Sequence, residues 1–287
     1  MIVLRAPAKL NLTLEVLGKR PDGYHEVRSL MQAIDLFDLL TFEPGNGISL
    51  ACKDPRLASE DNLVLRAARL LDRHTRSGKG ARITLEKVIP TGAGLGGGSS
   101  DAAATIAGLD ELWALGLSSE RMADIGAELG SDVPFFVYGG TAIAAGRGEK
   151  ITPLSVALDY WPVLLFPPLP ELKAKTATLY ASLRPEAFTH GQFLQAALMS
   201  VTGCRPLPAD MLYNVFDGAA RVAFPGLASF WSKAEGAAGL RFHLAGSGPT
   251  LFAWCSQKEE ASEVCARLRK RGLHPCLTRT LSRQCQA

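Results

Sequence analysis

Seven of the nine residues from Gly92 to Ser100 are glycine or serine, and the run stands between a strand signal and a helix signal. Upstream, Ile83, Leu85, Val88 and Ile89 read as a strand running into Pro90. Downstream, Ser100-Asp101 makes a helix start, and the stripe Ile106, Leu109 and Trp113 continues the helix until Gly116. Glycine lets successive backbone N–H groups turn inward with no Cβ in the way, and the following helix adds its positive end. Such a loop binds polyphosphate, and Ser99 and Ser100 are candidate ligands to phosphate or to a phosphate-bound Mg²⁺.

Other readings of the loop fit less well. Gly92, Gly94 and Gly97 spell a G-x-G-x-x-G dinucleotide fingerprint, but that motif needs a second strand ending in an acidic residue about 20 positions on. Asp110-Glu111 fall within the helix pattern instead. A Walker A loop requires Gly-Lys-Ser/Thr, and no lysine lies between Gly92 and Ser100. A ligand-free turn is the bland alternative, although so many glycines weaken a fold that gains nothing from them. A phosphate site here needs its cation from elsewhere, and the first strand offers one. Leu10, Leu12, Leu14 and Val16 alternate with Lys9, Asn11, Thr13 and Glu15, which predicts a half-buried strand with Lys9 and Asn11 together on its polar face.

The rest of the chain reads as mixed α+β. Pro21-Asp22-Gly23 marks a turn, and Ala33–Phe42 and Ile48–Cys52 read as antiparallel strands joined at Asn46-Gly47. From Asn62 the spacing of Leu63, Ala67, Leu70 and Leu71 predicts a helix. Ser119 opens another, with Met122, Ile125 and Leu129 inward and Gly130 as its stop, so Asp132 falls on a loop or a helix start. Short strands punctuated by Gly139-Gly140, Gly146 and Pro153 precede a proline-rich stretch, Pro162–Pro170, and the domain boundary is placed near residue 155. Helical segments follow around Ala174–Leu183, Gln192–Val201 and Met211–Val222. Strand-like Leu240–Leu244, Leu251–Cys255 and His274–Leu281 flank a helix at Lys258–Lys270.

Composition excludes some classes of protein. With 31 basic against 28 acidic residues the net charge is +3, too small an excess to point to nucleic acid or a membrane surface. No apolar run approaches a membrane span, and the N-terminus shows no signal or transit leader. The six cysteines, Cys52, Cys204, Cys255, Cys265, Cys276 and Cys285, are scattered without a CxxC pair. The expectation is a reduced protein of the bacterial cytoplasm.

Three segments, in this order, resemble the GHMP kinase superfamily, which includes galactokinase, homoserine kinase and mevalonate kinase. They are Pro7-Ala8-Lys9-Leu10-Asn11-Leu12, the loop Pro90-Thr91-Gly92-Ala93-Gly94-Leu95-Gly96-Gly97-Gly98-Ser99-Ser100, and Gly246-Ser247-Gly248-Pro249-Thr250-Leu251-Phe252. The resemblance implies a two-domain GHMP kinase fold. Residues 1–154 would form an N-terminal ATP-binding domain like ribosomal protein S5 domain 2, and residues 155–287 a ferredoxin-like α+β domain, with the active site in the cleft between. Four further segments are similar to the branch that phosphorylates a cytidine-diphosphate-linked methylerythritol: Ala6–Leu12, Asp22-Gly23-Tyr24-His25-Glu26, Asp61-Asn62-Leu63-Val64 and Gly130-Ser131-Asp132-Val133-Pro134-Phe135-Phe136.

In that branch the matching lysine and aspartate are catalytic, which transfers to Lys9 and Asp132, and the matching asparagine orients the alcohol, hence Asn11. Tyr24 and His25 would recognise the cytosine, with Tyr180 as a second aromatic on its far side. Asn62 and Lys87 would belong to the adenine pocket, and ATP and Mg²⁺ to the reaction. Thr91 stands where methionine is common and Asp101 where asparagine is common, both at the loop's edges. Asn214 lacks its usual acidic neighbour and carries no assigned role. A homoserine- or mevalonate-type kinase and a catalytically silent nucleotide-binding protein are the alternatives; Asp-Gly-Tyr-His has no evident use in the first, and an intact Lys9 and Asp132 argue against the second.

Overall fold

The computed structural model describes residues 1–170 and 172–283; Cys285 lies outside the described residues. Its first half runs β1 (Ile2–Lys19), β2 (His25–Gly45), β3 (Ile48–Cys52), α1 (Leu63–Thr75), β4 (Gly80–Glu86), α2 (Gly97–Trp113), α3 (Ser119–Ala127), α4 (Val133–Tyr138), β5 (Thr141–Gly146) and β6 (Lys150–Pro153). The second half runs β7 (Val163–Leu165), α5 (Lys175–Ser182), α6 (Gln192–Thr202), β8 (Tyr213–Asn214), α7 (Asp217–Ala223), α8 (Leu227–Ala238), β9 (His243–Leu244), β10 (Leu251–Ala253), α9 (Lys258–Lys270) and β11 (Pro275–Leu277).

β1 and β2 form a long antiparallel hairpin, closed by a turn in which Gly23 takes φ 85°. The sheet extends in the order β3-β4-β2-β1-β8, with β5 also on β2 and β6 on β5. The expected hairpin at Asn46-Gly47 does not form: β3 pairs in parallel with β4, and β4 lies between β3 and β2. The chain crosses over β4 where Gly80 faces Gly45, and a Cβ on Gly80 would run into the Gly45 carbonyl and come within 2.5 Å of the Gly47 nitrogen. Only glycine permits that crossing.

α1 and α2 cover one face of this sheet with a core that includes Phe42, Ala67, Leu71, Ile83, Ile106, Leu109 and Trp113. At Gly108 the helix backbone meets the Phe42 ring directly, with no room for a Cβ. Truncating a fully buried ring such as Phe42 typically removes about 3–5 kcal/mol.

A second antiparallel sheet, β11-β7-β10-β9, comes from the second half. Its core gathers Phe216, Phe224, Trp231, Phe242 and Leu268, and it takes in Leu14, Val16 and Val27 from the first hairpin. β8 goes the other way and pairs in parallel with β1 at Thr13 and Leu14.

The expected single polar face does not hold along β1: a register shift between Asn11 and Thr13 inverts the alternation, so Lys9 and Asn11 share a face with Leu14 while Thr13 and Glu15 turn to the other. Lys9 and Asn11 are 4% and 5% exposed, and Thr13 and Glu15 are fully buried, where alternation alone predicts a half-buried strand. Glu15 Oε1 accepts a hydrogen bond from the Leu194 amide, in the first turn of α6, at 2.7 Å.

Other boundaries shift for local reasons. β4 ends at Glu86 because Asp38 Oδ1 draws the amides of Val88 and Ile89 towards it, at 2.5 and 2.8 Å. α2 begins at Gly97, ahead of the expected Ser100-Asp101 start, with Gly96 as N-cap at φ 72°. The Met211–Val222 segment divides into β8 and α7, since Asn214 is tied to the carbonyls of Leu244 and Gly246. α8 has no counterpart in the sequence reading, although Leu227, Trp231, Ala234 and Ala238 are buried at helical spacing.

Candidate active site

The floor of the cleft is the face of β1 that carries Lys9 and Asn11. Lys9 Nζ donates to Asn11 Oδ1 at 2.6 Å, Asn11 Nδ2 donates to Ser29 Oγ at 2.7 Å, and Ser29 Oγ donates to the Thr13 carbonyl at 2.5 Å. A chain of bonds from one strand to the next therefore fixes the ammonium. Asp132 reaches the same point from the start of α4, with Oδ2 3.4 Å from Lys9 Nζ. It occupies the N-cap position, but its side chain makes no capping hydrogen bond. The carboxylate faces the lysine instead.

Two glycine loops close over this pair. The Lys9 amide donates to the Leu95 carbonyl at 3.0 Å, which ties the first loop to β1. Gly94 takes φ 87°, and a Cβ there would collide with the Ala245 carbonyl and lie 2.8 Å from the Gly248 nitrogen. Gly246, at φ 54°, would place a Cβ 3.1 Å from Lys9 Nζ and 2.8 Å from the Gly94 carbonyl. These glycines let the loops meet each other and the ammonium. Beyond them, the amides of Gly97, Gly98 and Ser99 open α2 and have no acceptor within the helix, so they point out as anion donors.

Pro90–Ser99 line one wall of a cavity of about 390 Å³, shared with Asn62, Lys87, Leu57, Leu63 and Leu85. The structure thus brings Asn62 and Lys87 to the loop, but each is held locally. Asn62 Oδ1 caps α1 through the Val64 amide at 2.9 Å, and its Nδ2 donates to the Leu57 carbonyl at 2.6 Å. Lys87 Nζ lies between the carboxylates of Asp38 and Asp101, at 2.8 Å from Asp101 Oδ2. Asp101, at the loop's edge in sequence, is buried here. Desolvation raises its pKa to about 7, with Lys87 opposing and the nearby Asp38 adding to the rise.

A second cavity of about 150 Å³ opens from Lys9, Asn11 and Asp132 past Ser29, Arg147 and Ser247 to Tyr180. Tyr180 stacks on His25 with ring centroids 4.9 Å apart and planes 24° from parallel. His25 Nε2 is buried without a protein partner, and burial, with Lys19 second, lowers the pKa of the ring. Tyr24 turns outward, 56% exposed, with the Arg147 guanidinium 4.9 Å over its ring. Of the aromatic residues expected together, the structure brings His25 and Tyr180 into direct contact and leaves Tyr24 outside that stack.

Sequence reasoning passed over Ser29, Arg147 and Thr176 and left Asn214 without a role. Asn214 donates to the carbonyls of Leu244 and Gly246, both at 2.8 Å, and so pins the second glycine loop. Its signal was the asparagine already singled out; what it holds is visible only once β8 lies beside β1.

A lysine–carboxylate pair under a helix-opening glycine loop, in a cleft between two α+β halves, defines a small-molecule phosphotransferase site. Residues 62–140 match the GHMP kinases N terminal domain family and residues 196–274 the GHMP kinases C terminal family. The chain is 41% identical, over 98% of its length and 99% of the relative's, to a protein of Dehalococcoides mccartyi named 4-diphosphocytidyl-2-C-methyl-D-erythritol kinase. It superposes on a crystal structure of 4-(cytidine 5′-diphospho)-2C-methyl-D-erythritol kinase with TM-score 0.81 and 34% identity, covering 97% of this chain and 99% of that one. The homoserine kinase of Cytophaga hutchinsonii shares the fold, with TM-score 0.72 at 18% identity over 98% of this chain and 94% of that one. The chain belongs to the GHMP kinases and, within them, to the 4-diphosphocytidyl-2-C-methyl-D-erythritol kinase family.

Proposed function

We propose that the protein transfers the γ-phosphoryl group of ATP to the 2-hydroxyl of 4-diphosphocytidyl-2-C-methyl-D-erythritol, giving the 2-phosphate and ADP in the non-mevalonate route to isoprenoid precursors. The observation that carries the site assignment is the 3.4 Å approach of Lys9 and Asp132 beneath the glycine loop.

Phosphoryl transfer asks a protein chiefly for positioning and charge neutralisation. In this reading Asp132 accepts the proton of the 2-hydroxyl as its oxygen bonds to the γ-phosphorus, and the bond from that phosphorus to the β–γ bridging oxygen breaks to release ADP. Lys9 neutralises charge developing on the attacking oxygen, and Asn11 holds both the ammonium and the alcohol. The amides of Gly97, Gly98 and Ser99 bind the phosphates, while Pro90–Leu95, Asn62 and Lys87 shape the nucleotide cavity. Gly246, Ser247 and Gly248 close the cleft from the other half. Tyr24, His25 and Tyr180 take the cytosine, and the unpartnered Nε2 of His25 supplies a hydrogen-bonding group for it.

The donor set suits Mg²⁺ held mainly by phosphate and water: the Ser100 hydroxyl is buried without a partner, and Ser99 stands beside it. Bound there, the ion would offset charge on the β- and γ-phosphates. The same reading divides the chain into domains at 154/155 and places it in the cytoplasm, where ATP is made. No helix among the described residues is long and apolar enough to cross a membrane.

The test is ADP release with ATP and Mg²⁺ against the diphosphocytidyl alcohol, mevalonate and homoserine. Turnover confined to the first supports the reading; turnover on another discards the cytosine pocket.

A further inference from the structure

β1 and β2 change register beside the reacting groups. Asn11 opposes Met31 and Thr13 opposes Leu30, so Leu12 between them is the extra residue of a bulge. A bulge disrupts the ladder locally and re-aims the side chains next to it. Two hydroxyls hold this one. The Leu30 amide donates to Thr13 Oγ1 at 3.0 Å, and Ser29 Oγ donates to the Thr13 carbonyl at 2.5 Å. The same shift sets Ser29 opposite Leu14, on the cleft face with Asn11.

Ser29 is 1% exposed and Asn11 5%, which leaves water little room to replace a lost partner. A serine hydroxyl has one hydrogen, and Ser29 commits it to the Thr13 carbonyl. Towards Asn11 it can therefore only accept, and it takes one N–H of the side-chain amide at 2.7 Å. Lys9 can only donate, and its ammonium takes the amide oxygen at 2.6 Å. The amide is gripped at both ends with its polarity fixed, oxygen to Lys9 and nitrogen to Ser29. A second N–H of Asn11 is left, and Asn11 lines the cavity that holds Asp132.

We infer that Ser29 is a positioning residue for the phosphoryl transfer: through Asn11 it aims one N–H at the oxygen of the acceptor alcohol and leaves the alcohol's own hydrogen for Asp132. Among the described residues lining this cavity, Asp132 carries the only carboxylate, so a hydroxyl whose lone pair faces Asn11 has one anionic acceptor for its hydrogen. Without the serine oxygen the amide loses one of its two grips, and the ammonium bonded to it loses its fixed place. This role rests on the acceptor alcohol proposed above.

ADP release from the diphosphocytidyl alcohol by the wild type and by Ser29→Ala, Ser29→Cys and Ser29→Thr tests it. Ser29→Ala lowers kcat at least about tenfold while the KM for ATP stays within about twofold, as a misplaced group at the reacting centre requires. Ser29→Cys, with similar volume but a poor acceptor, shows the same split and serves if the alanine variant does not fold. Ser29→Thr keeps the hydroxyl, faces the small Ala144 across β5, and recovers most of the rate. Wild-type kcat in Ser29→Ala or Ser29→Cys overturns the role of Ser29 and leaves the substrate assignment standing. So does a rate lost equally in Ser29→Thr, or lost together with a rise in the KM for ATP, since either marks a disturbed sheet. Wild-type protein that does not turn over this alcohol overturns the assignment and the role together.

Discussion

Asp132 Oδ2 lies 3.4 Å from Lys9 Nζ, and the same ammonium donates to Asn11 Oδ1 at 2.6 Å. Carboxylate and ammonium thus come from elements more than a hundred residues apart, one at a helix start and one on a central strand. Asp132→Asn keeps the shape and removes the proton acceptor, so kcat is expected to fall by about 10²–10⁴. Lys9→Ala is expected to cost about 10²–10³. Near-normal kcat in either variant, measured by ADP release, would remove that residue from the mechanism.

Gly246 has a packing reason to be glycine. A Cβ there would sit 2.8 Å from the Gly94 carbonyl, 3.1 Å from Lys9 Nζ and 3.3 Å from Asn11 Oδ1, at φ 54°. Gly246→Ala is expected to lower kcat at least about tenfold, by analogy with the cost of small misplacements near reacting groups. Backbone strain adds about 1–3 kcal/mol of destabilisation. Steady-state kinetics and thermal melting, taken together, separate the two effects.

Asp101 gives a stability prediction with a definite sign. Its carboxyl pKa is raised from 3.8 to about 7, so between those values the folded chain holds a proton that the unfolded chain has released. The proton-bound form favours the fold below about pH 4, and that advantage is lost as pH rises towards 7. Asp101→Asn, which is neutral throughout, should raise the melting temperature more at pH 8 than at pH 5. An equal change at both pH values would show that the carboxyl does not titrate in this range.

The proposed cytosine site predicts a selective loss. Base–aromatic stacking is worth about 1–3 kcal/mol, so Tyr180→Ala should weaken the cytidine substrate roughly 5- to 150-fold. Binding of the ATP analogue in the absence of that substrate should not change. Calorimetry on each ligand separately decides it.

His25 adds a pH dependence to the same proposed site. Burial lowers its pKa from 6.5, so the ring stays neutral through the physiological range and protonates only in more acid solution. If the neutral ring recognises cytosine, substrate affinity is flat from pH 7 to 8 and falls as pH drops through the lowered pKa. A His25→Gln variant should lose that acid limb. Its persistence in the variant would assign the titration to another group.

Much of the site was legible because its parts are local. A glycine run at a strand–helix junction, an Asp-Val-Pro helix start and a lysine alternating with leucines each depend on a few neighbouring residues. The matching of Lys258–Lys270 to α9 has the same cause, a strong stripe with acidic first and basic last turns. Reading failed where a partner far along the chain decides the outcome: β3 joins β4 because Gly80 lets the backbone cross, and Asn214 acquires its role from β1 and the second glycine loop.

The sequence by itself determined the local features: a glycine-rich loop between strand and helix, a lysine alternating with leucines, an Asp-Val-Pro helix start and a Tyr-His pair after a turn. Only the tertiary structure decided that Lys9, Asn11, Thr13 and Glu15 are all buried, on two faces of β1, that Lys87 is shared between Asp38 and Asp101, and that His25 and Tyr180 touch. The reason is that periodicity and turn chemistry act over a few residues, whereas burial and charge pairing depend on which distant segments meet.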